Sequence, residues 1–327
     1  MTTQRMIDRR TALGALGAAC VAPVALVGSG RRARAAAPLL GAARPSFYRT
    51  QLGAFEVTTL FDGAIGLEGP HPIFGQDQSA EAVQELAQAN FLAPTQMEIS
   101  FTPVLVNTGS ELVLFDSGNP PPRRPGAGNL VAALQAAGFE PAQVDIVVVT
   151  HMHGDHIGGL MTDGAPTYPN ARYVTGGLEY DFWSSEDRLS GPTEGNAKLV
   201  QANVVPLAER TTFLKDEGEV VTGISGLAAH GHTPGHMVYH IESDGRRLLL
   251  WADTANHFVI SVQRPDWHVS FDMDKEAAAA TRRRIFDLAA TDRIPVTGYH
   301  MPFPAVGYID QQGSDYRWVP AGFQTSF

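Results

Sequence analysis

Cysteine is almost absent. The 327-residue chain has one, Cys20, so no intrachain disulfide framework and no cluster of thiolate ligands is available to it. Basic residues are scarce as well: 24 Lys and Arg face 34 Asp and Glu, for a formal charge of −10. An acidic chain offers no overall basic face to phosphates, which argues against a nucleic-acid partner. Nor is there an apolar run fit to span a membrane, because the strongest candidate, Thr11 to Gly28, is short and diluted by Ala and Gly. Repeats of solenoid period are also missing. What is present, 44% hydrophobic content over this length, suffices for one large domain or two modest ones.

The first 37 residues stand apart. Arg9-Arg10 precede the apolar run, and Ala33-Arg34-Ala35-Ala36-Ala37 follow it. The pattern resembles a twin-arginine export signal with a small-residue cleavage site. The resemblance implies a signal over 1–37, a mature domain over 38–327, and a periplasmic or secreted enzyme without stable membrane association after cleavage. Removal would take away Cys20, six Arg and Asp8, leaving 18 basic against 33 acidic residues and a charge of −15.

The densest chemistry lies in Val144-Asp145-Ile146-Val147-Val148-Val149-Thr150-His151-Met152-His153-Gly154-Asp155-His156. Its β-branched run suits a buried strand. Directly after the strand come four metal-competent side chains, His151, His153, Asp155 and His156. They can converge only if the backbone turns tightly, a freedom expected from Gly154 and Gly158-Gly159. Imidazole nitrogen and carboxylate oxygen together suit zinc and its first-row neighbours. Three more such segments follow strand-like runs: His230-Gly231-His232-Thr233-Pro234-Gly235-His236, Trp251-Ala252-Asp253 and Gly298-Tyr299-His300.

His-x-His-x-Asp-His after an apolar strand, with these later segments, resembles the metallo-β-lactamase fold superfamily over most of the chain beyond residue 45. The resemblance implies a single domain of mixed α/β (α+β) class, a four-layer αβ/βα sandwich, carrying two divalent metal ions, zinc first, with Mn, Co or Fe as alternatives. It assigns His151, His153 and His232 to one ion, Asp155, His156 and His300 to the other, and Asp253 to both. Asp116 would orient the metal loop and His236 would support it, with His230 structural. The chemistry implied is attack by a hydroxide shared between the ions on a lactone, ester or phosphotriester, with Asp155 as a proton shuttle.

Longer segments, Asp181-Phe182-Trp183, His300-Met301-Pro302-Phe303-Pro304 and Tyr316-Arg317-Trp318-Val319-Pro320, resemble the branch containing methyl parathion hydrolase, lactonases and arylesterases. In that branch aromatic side chains bind apolar groups near the metals, which makes Trp183 and Phe182 the candidates for a substrate pocket. Two other readings are a glyoxalase-type thioester hydrolase, which calls for a basic patch that Arg317 alone does not make, and a non-catalytic metal-binding protein on the same fold, which calls for lost ligands. The expected partner is a small molecule, with a homodimer left open. His71, His240, His257 and His268 lack neighbours of this kind and are read as structural or surface residues.

Periodicity supplies the rest. Strands are expected at Phe55–Phe61, Phe101–Val106 and Glu111–Phe115, the last two joined by a turn at Asn107–Ser110. Further strands are expected at Ala171–Val174, Val204–Val205, Thr211–Leu214, Ile224–Ala229, Met237–Ile241, Arg247–Trp251 and, as the last, Arg293–Thr297. Helices are expected at Ser79–Phe91, Asn129–Gly138, Gly177–Arg188 and from Asp274 through Leu288, and Glu186–Gly195 reads as a mobile polar loop.

Overall fold

The computed structural model describes residues 38, 39 and 41–327; the export-signal reading of 1–37 and Cys20 lie outside them. Arg44–Phe327 forms one compact unit. Among the described residues no helix is long and apolar enough to cross a membrane.

Two seven-stranded sheets make the frame. The first runs in the order Phe47–Leu52, Phe55–Leu60, Val104–Asn107, Leu112–Phe115, Ile146–Val149, Arg172–Gly176, Thr211–Leu214. Its last three strands are parallel to Leu112–Phe115 and to one another. The second runs Glu217–Val221, Ile224–Ala228, Met237–Ser243, Arg246–Ala252, Val296–Gly298, Val306–Gln312, Asp315–Pro320.

Side-chain parity shows how the layers stack. On the first sheet Leu105, Leu114, Val147 and Val149 pack with Leu130, Leu134, Ala197 and Val200 of flanking helices. Their neighbours Val104, Val106, Val113, Ile146 and Val148 point the other way, against Tyr239, Ile241, Leu248 and Leu250 of the second sheet. The second sheet's outer face, Val238, Leu249, Trp251 and Ile309, is covered by Ile285, Phe286 and Ala289 of helix Lys275–Asp292. The result is helix, sheet, sheet, helix. Strand Ile146–Val149 is buried at all four positions because both of its faces are covered, the condition that a continuous β-branched run satisfies.

Caps fall where local chemistry puts them. Ser79 accepts from Ala82 N to start helix Ala80–Ala89, and Asp274 accepts from Ala277 N to start Lys275–Asp292. Elsewhere tertiary context prevails. The run expected over Phe101–Val106 breaks at Thr102-Pro103: Gln96–Phe101 pairs with Gly63–Glu68 in a separate two-stranded ribbon, and only Val104–Asn107 joins the main sheet. Val204–Val205 is not a strand but enters a 3₁₀ turn at Val205–Arg210, where Pro206 suits a helical start. The Glu186–Gly195 segment holds two 3₁₀ turns and leads into helix Glu194–Asn203. The strand near 293–297 is Val296–Gly298, and it is not the last, since the hairpin Val306–Gln312 and Asp315–Pro320 completes the sheet.

Candidate metal centre and substrate cavity

All seven side chains expected to hold metal come together at the ends of strands from both sheets. Ligand-capable atoms of His151, His153 and His232 lie within 4.8 Å of one another, as do those of Asp155, His156 and His300, and those of His151, His156 and Asp253. Asp253 stands between the groups. Its Oδ1 is 3.3 Å from His156 Nε2, and its Oδ2 is 3.3 Å from His232 Nε2 and 3.1 Å from His300 Nε2.

The outer hydrogen bonds decide which way each imidazole lone pair points. Asp116 Oδ2 lies 2.8 Å from His156 Nδ1, Asp272 Oδ1 lies 2.9 Å from His232 Nδ1, and Ser100 O lies 2.8 Å from His300 Nδ1. Each of those oxygens accepts, so each Nδ1 carries the proton and Nε2 turns a lone pair inward. Thr150 Oγ1 donates to Asp116 Oδ2 and so accepts from His151 Nδ1 at 3.2 Å, which fixes His151 in the same sense. His153 faces the others through Nδ1, at 3.1 Å from His151 Nε2 and 2.9 Å from His232 Nε2.

These separations are close to the edge of a tetrahedron around zinc, about 3.3 Å for metal–nitrogen bonds of about 2.0–2.1 Å. His156 Nε2 and Asp253 Oδ1 are buried without any hydrogen-bond partner. A buried orphan acceptor is costly unless something electropositive satisfies it. The donor set thus fits two divalent cations, with Asp253 placed to touch both.

The electrostatics agree. Burial opposes ionisation of Asp253, yet the surrounding His300, His156 and His232 hold its carboxyl well below the usual range. Burial likewise opposes charge on His156 and His232, but Asp253 with Asp116 raises the first well above its ordinary value, and Asp253 with Asp272 raises the second to about 9. Burial and then His232 lower His153 to about 3. The carboxylates demand positive charge inside the cage.

Support comes from residues outside the donor groups and the cavity lining. Asp116, at φ +63°, turns left-handed at its strand's end, and its carboxylate accepts from Thr150 N at 2.8 Å beneath the metal loop. His236 has both nitrogens engaged: Nδ1 donates to Ala229 O at 2.9 Å and Nε2 accepts from Asp253 N at 3.1 Å. It therefore holds Asp253 and offers no lone pair to the cage. Tyr299 Oη donates to Asp155 O at 2.6 Å. His230 is partly exposed and lies outside the groups, 4.0 Å from Asp216. The motif glycines act differently from expectation. None has positive φ; instead a Cβ on Gly159 would sit 2.1 Å from Ser117 O, and one on Gly158 would sit 2.4 Å from Pro120 Cδ. They permit close approach of two loops and do not supply an unusual turn.

Above the cage lies a cavity of about 320 Å³ lined by Ile65, Leu67, Ile99, Phe101 and Phe271, with Arg123, Asn196, Asp155 and His300 among its polar wall. Neither Trp183 nor Phe182 lines it. Trp183 is 2% exposed, packs in the core of the first sheet, and donates from Nε1 to Glu179 Oε1 at 2.9 Å. Phe182 stands edge-on to Trp183 beneath the Arg188 guanidinium. The Trp183 ring is buried in packing and the Phe182 ring is half-buried against it. The apolar wall instead comes from the ribbon Gly63–Glu68/Gln96–Phe101, which the sequence did not reveal, since alternation there reads like any strand. Asp272 was missed too. It is clamped between His232 and the fully buried Arg282, 3.2 Å away, and sits only two residues before a helix cap that gives it no local signature.

Residues 102–297 match the Metallo-beta-lactamase superfamily, and the chain belongs to it: with this fold and donor set it is a metallo-hydrolase. Among solved structures it is similar to AidC, described as a dizinc quorum-quenching lactonase in complex with a product, at 26% identity and a TM-score of 0.78 over 85% of this chain and 98% of that one. It is also similar to AbOPH, described as a hydrolase in the beta lactamase superfamily, at 26% identity and a TM-score of 0.79 over 86% and 100%. Among curated proteins it is 27% identical to the probable metallo-hydrolase YflN of Bacillus subtilis over 208 residues, 58% of this chain and 75% of that protein.

Proposed function

We propose that the chain is a dinuclear metal-dependent hydrolase whose preferred substrates are lactones carrying an apolar chain, with aryl esters and phosphotriesters as secondary substrates. One observation carries this reading: a cage of inward-facing imidazoles around a shared carboxylate forms the floor of a cavity with an apolar wall. Two divalent ions, zinc foremost, would supply a water acidified toward neutral pH and positive charge for a developing oxyanion.

The chain's own residues do the rest. Asp253 and the five imidazoles hold the reacting centre at the floor. Asp155 has a side chain 21% exposed and lines the cavity; it is the group placed to take a proton from water and return it to the leaving oxygen. Ile65, Leu67, Ile99 and Phe101 exclude water along one side and receive an acyl chain, which fixes the carbonyl over the floor. The likeness to AidC supports the lactone over the other classes. The signal-like pattern of residues 1–37 supports an exported enzyme, and the acidic balance of the whole chain supports a small molecule over a nucleic acid as its partner.

The test is a panel of acyl-homoserine lactones, aryl esters, a paraoxon-type triester and a glutathione thioester, offered to metal-loaded protein. Lactone turnover exceeding the rest by at least tenfold in kcat/KM is the expected result. Preference for the thioester would replace this reading with the glyoxalase type, and no turnover of any class at two ions per chain would end the catalytic reading.

A further inference from the structure

Glu179 is fully buried, and the donors that meet its carboxylate are neutral. Its Oε1 accepts from Met152 N at 2.8 Å and from Trp183 Nε1 at 2.9 Å, and its Oε2 accepts from Gly235 N at 2.8 Å. A carboxylate taken out of water survives only when its oxygens are well supplied with donors. The identity of these donors is informative. Met152 lies between His151 and His153, on the loop leaving the first sheet. Gly235 lies on the loop of His232 and His236, which leaves the second sheet. One carboxylate therefore ties together the two loops whose imidazoles form the first donor group.

The neighbourhood is built for that tie. A Cβ on Gly235 would lie 2.2 Å from Glu179 N and 2.6 Å from its Cα, so only glycine lets the start of helix Gly177–Ser184 approach the second loop. Asn196 Nδ2 donates to Met152 O at 2.7 Å from the opposite side. The peptides on both sides of Met152 are thus held, one through its N–H and one through its C=O, and the flanking His151 and His153 gain a fixed separation. The second donor group, Asp155, His156 and His300, has no contact of this kind with Glu179.

We infer that Glu179 is a positioning residue for one of the two metal sites, that of His151, His153 and His232, through the bonds it makes to Met152 and Gly235. The inference rests on the dinuclear reading above. It also gives the Asp181-Phe182-Trp183 segment a purpose other than substrate contact: Trp183, one helical turn beyond Glu179, holds the carboxylate in place.

Glu179→Gln keeps shape and removes one acceptor, so that an amide N–H must face a backbone N–H. Two measurements on this variant are decisive. In metal-free protein, amide exchange at Met152 and Gly235 should quicken at least tenfold, while exchange at Val148 in the neighbouring strand stays as it was. In zinc-loaded protein, a chelator titration should remove one ion at about 10- to 100-fold lower chelator concentration than in the unaltered chain, with the second ion unchanged. Asn196→Ala, at a half-buried position and less prone to unfold the chain, should move the same ion in the same direction by a smaller factor.

Unaltered exchange would overturn the tie itself. Quickened exchange with both ions lost in parallel, or neither, would overturn the site-selective role. An unaltered chain that binds no zinc, with exchange still quickened in the variant, would sink the dinuclear reading and leave Glu179 as a loop tie only.

Discussion

The two sheets contribute to the cage in different ways. The first delivers His151, His153, Asp155 and His156 on one continuous loop after strand Ile146–Val149. The second delivers His232, Asp253 and His300 singly, from the ends of three strands, Ile224–Ala228, Arg246–Ala252 and Val296–Gly298. Yet each half ends in the same device: a buried carboxylate behind an imidazole, Asp116 behind His156 and Asp272 behind His232. Asp116 also accepts from Thr150, whereas Asp272 also pairs with Arg282. The local half relies on hydrogen bonds from the backbone and hydroxyl of Thr150, and the dispersed half relies on a buried ion pair to the helix that starts just after Asp272.

That contrast can be broken most severely at the one ligand shared by both halves. Asp253→Ala is expected to empty both sites and lower kcat by at least about a thousandfold, since the water-activating charge goes with the ions. Metal analysis and turnover on the same sample check it, and retention of two ions would show that Asp253 does not bridge.

The next test separates the halves. Asp272→Asn should weaken retention of the ion at His232 by about 10- to 100-fold and also destabilise the fold by about 3 kcal/mol, because Arg282 is left as an uncompensated buried charge. Asp116→Asn should match it in metal retention but cost less in stability. Chelator titration and denaturant unfolding of the two variants decide whether the halves differ as described.

Smaller effects belong to the cavity wall and the core. Phe101→Ala should raise KM for a long-chain acyl lactone by roughly tenfold, consistent with loss of about 1.5 kcal/mol of apolar contact, and leave a short-chain lactone within about twofold. Equal changes for both would remove the ribbon from chain recognition. Trp183→Phe deletes one donor to Glu179 and should lower stability by about 1 kcal/mol, seen as a small fall in melting temperature with KM unchanged. A rise in KM there would restore Trp183 to the pocket.

The same contrast explains what could be read from the sequence. A contiguous ligand loop after a β-branched strand is local information, and so are the caps Ser79 and Asp274. His232, Asp253 and His300 were reached only through resemblance, because a histidine or aspartate at a strand's end carries no mark of its own. Asp272 and Glu179 were not reached, since what makes them matter is contact across 40 residues to His232 or across two loops, and Arg282 was not reached because its buried partner is Asp272 itself. The aromatic pair Phe182 and Trp183 misled for a related reason: a ring's area suits a core and a pocket equally, and only the three-dimensional neighbours choose. The strand expected at Phe101–Val106 joined the end of Gln96–Phe101 to Val104–Asn107, because the apolar pattern runs on across Thr102-Pro103.

The ribbon of Gly63–Glu68 and Gln96–Phe101 belongs to neither large sheet, yet four of its side chains face the reacting centre. The wall proposed to receive the acyl chain is therefore carried on a piece that also holds the cage, since Ser100 O of the same strand accepts from His300 Nδ1. Grafting the corresponding two strands from a relative would exchange one apolar wall for another only if the carbonyl at position 100 stayed against His300.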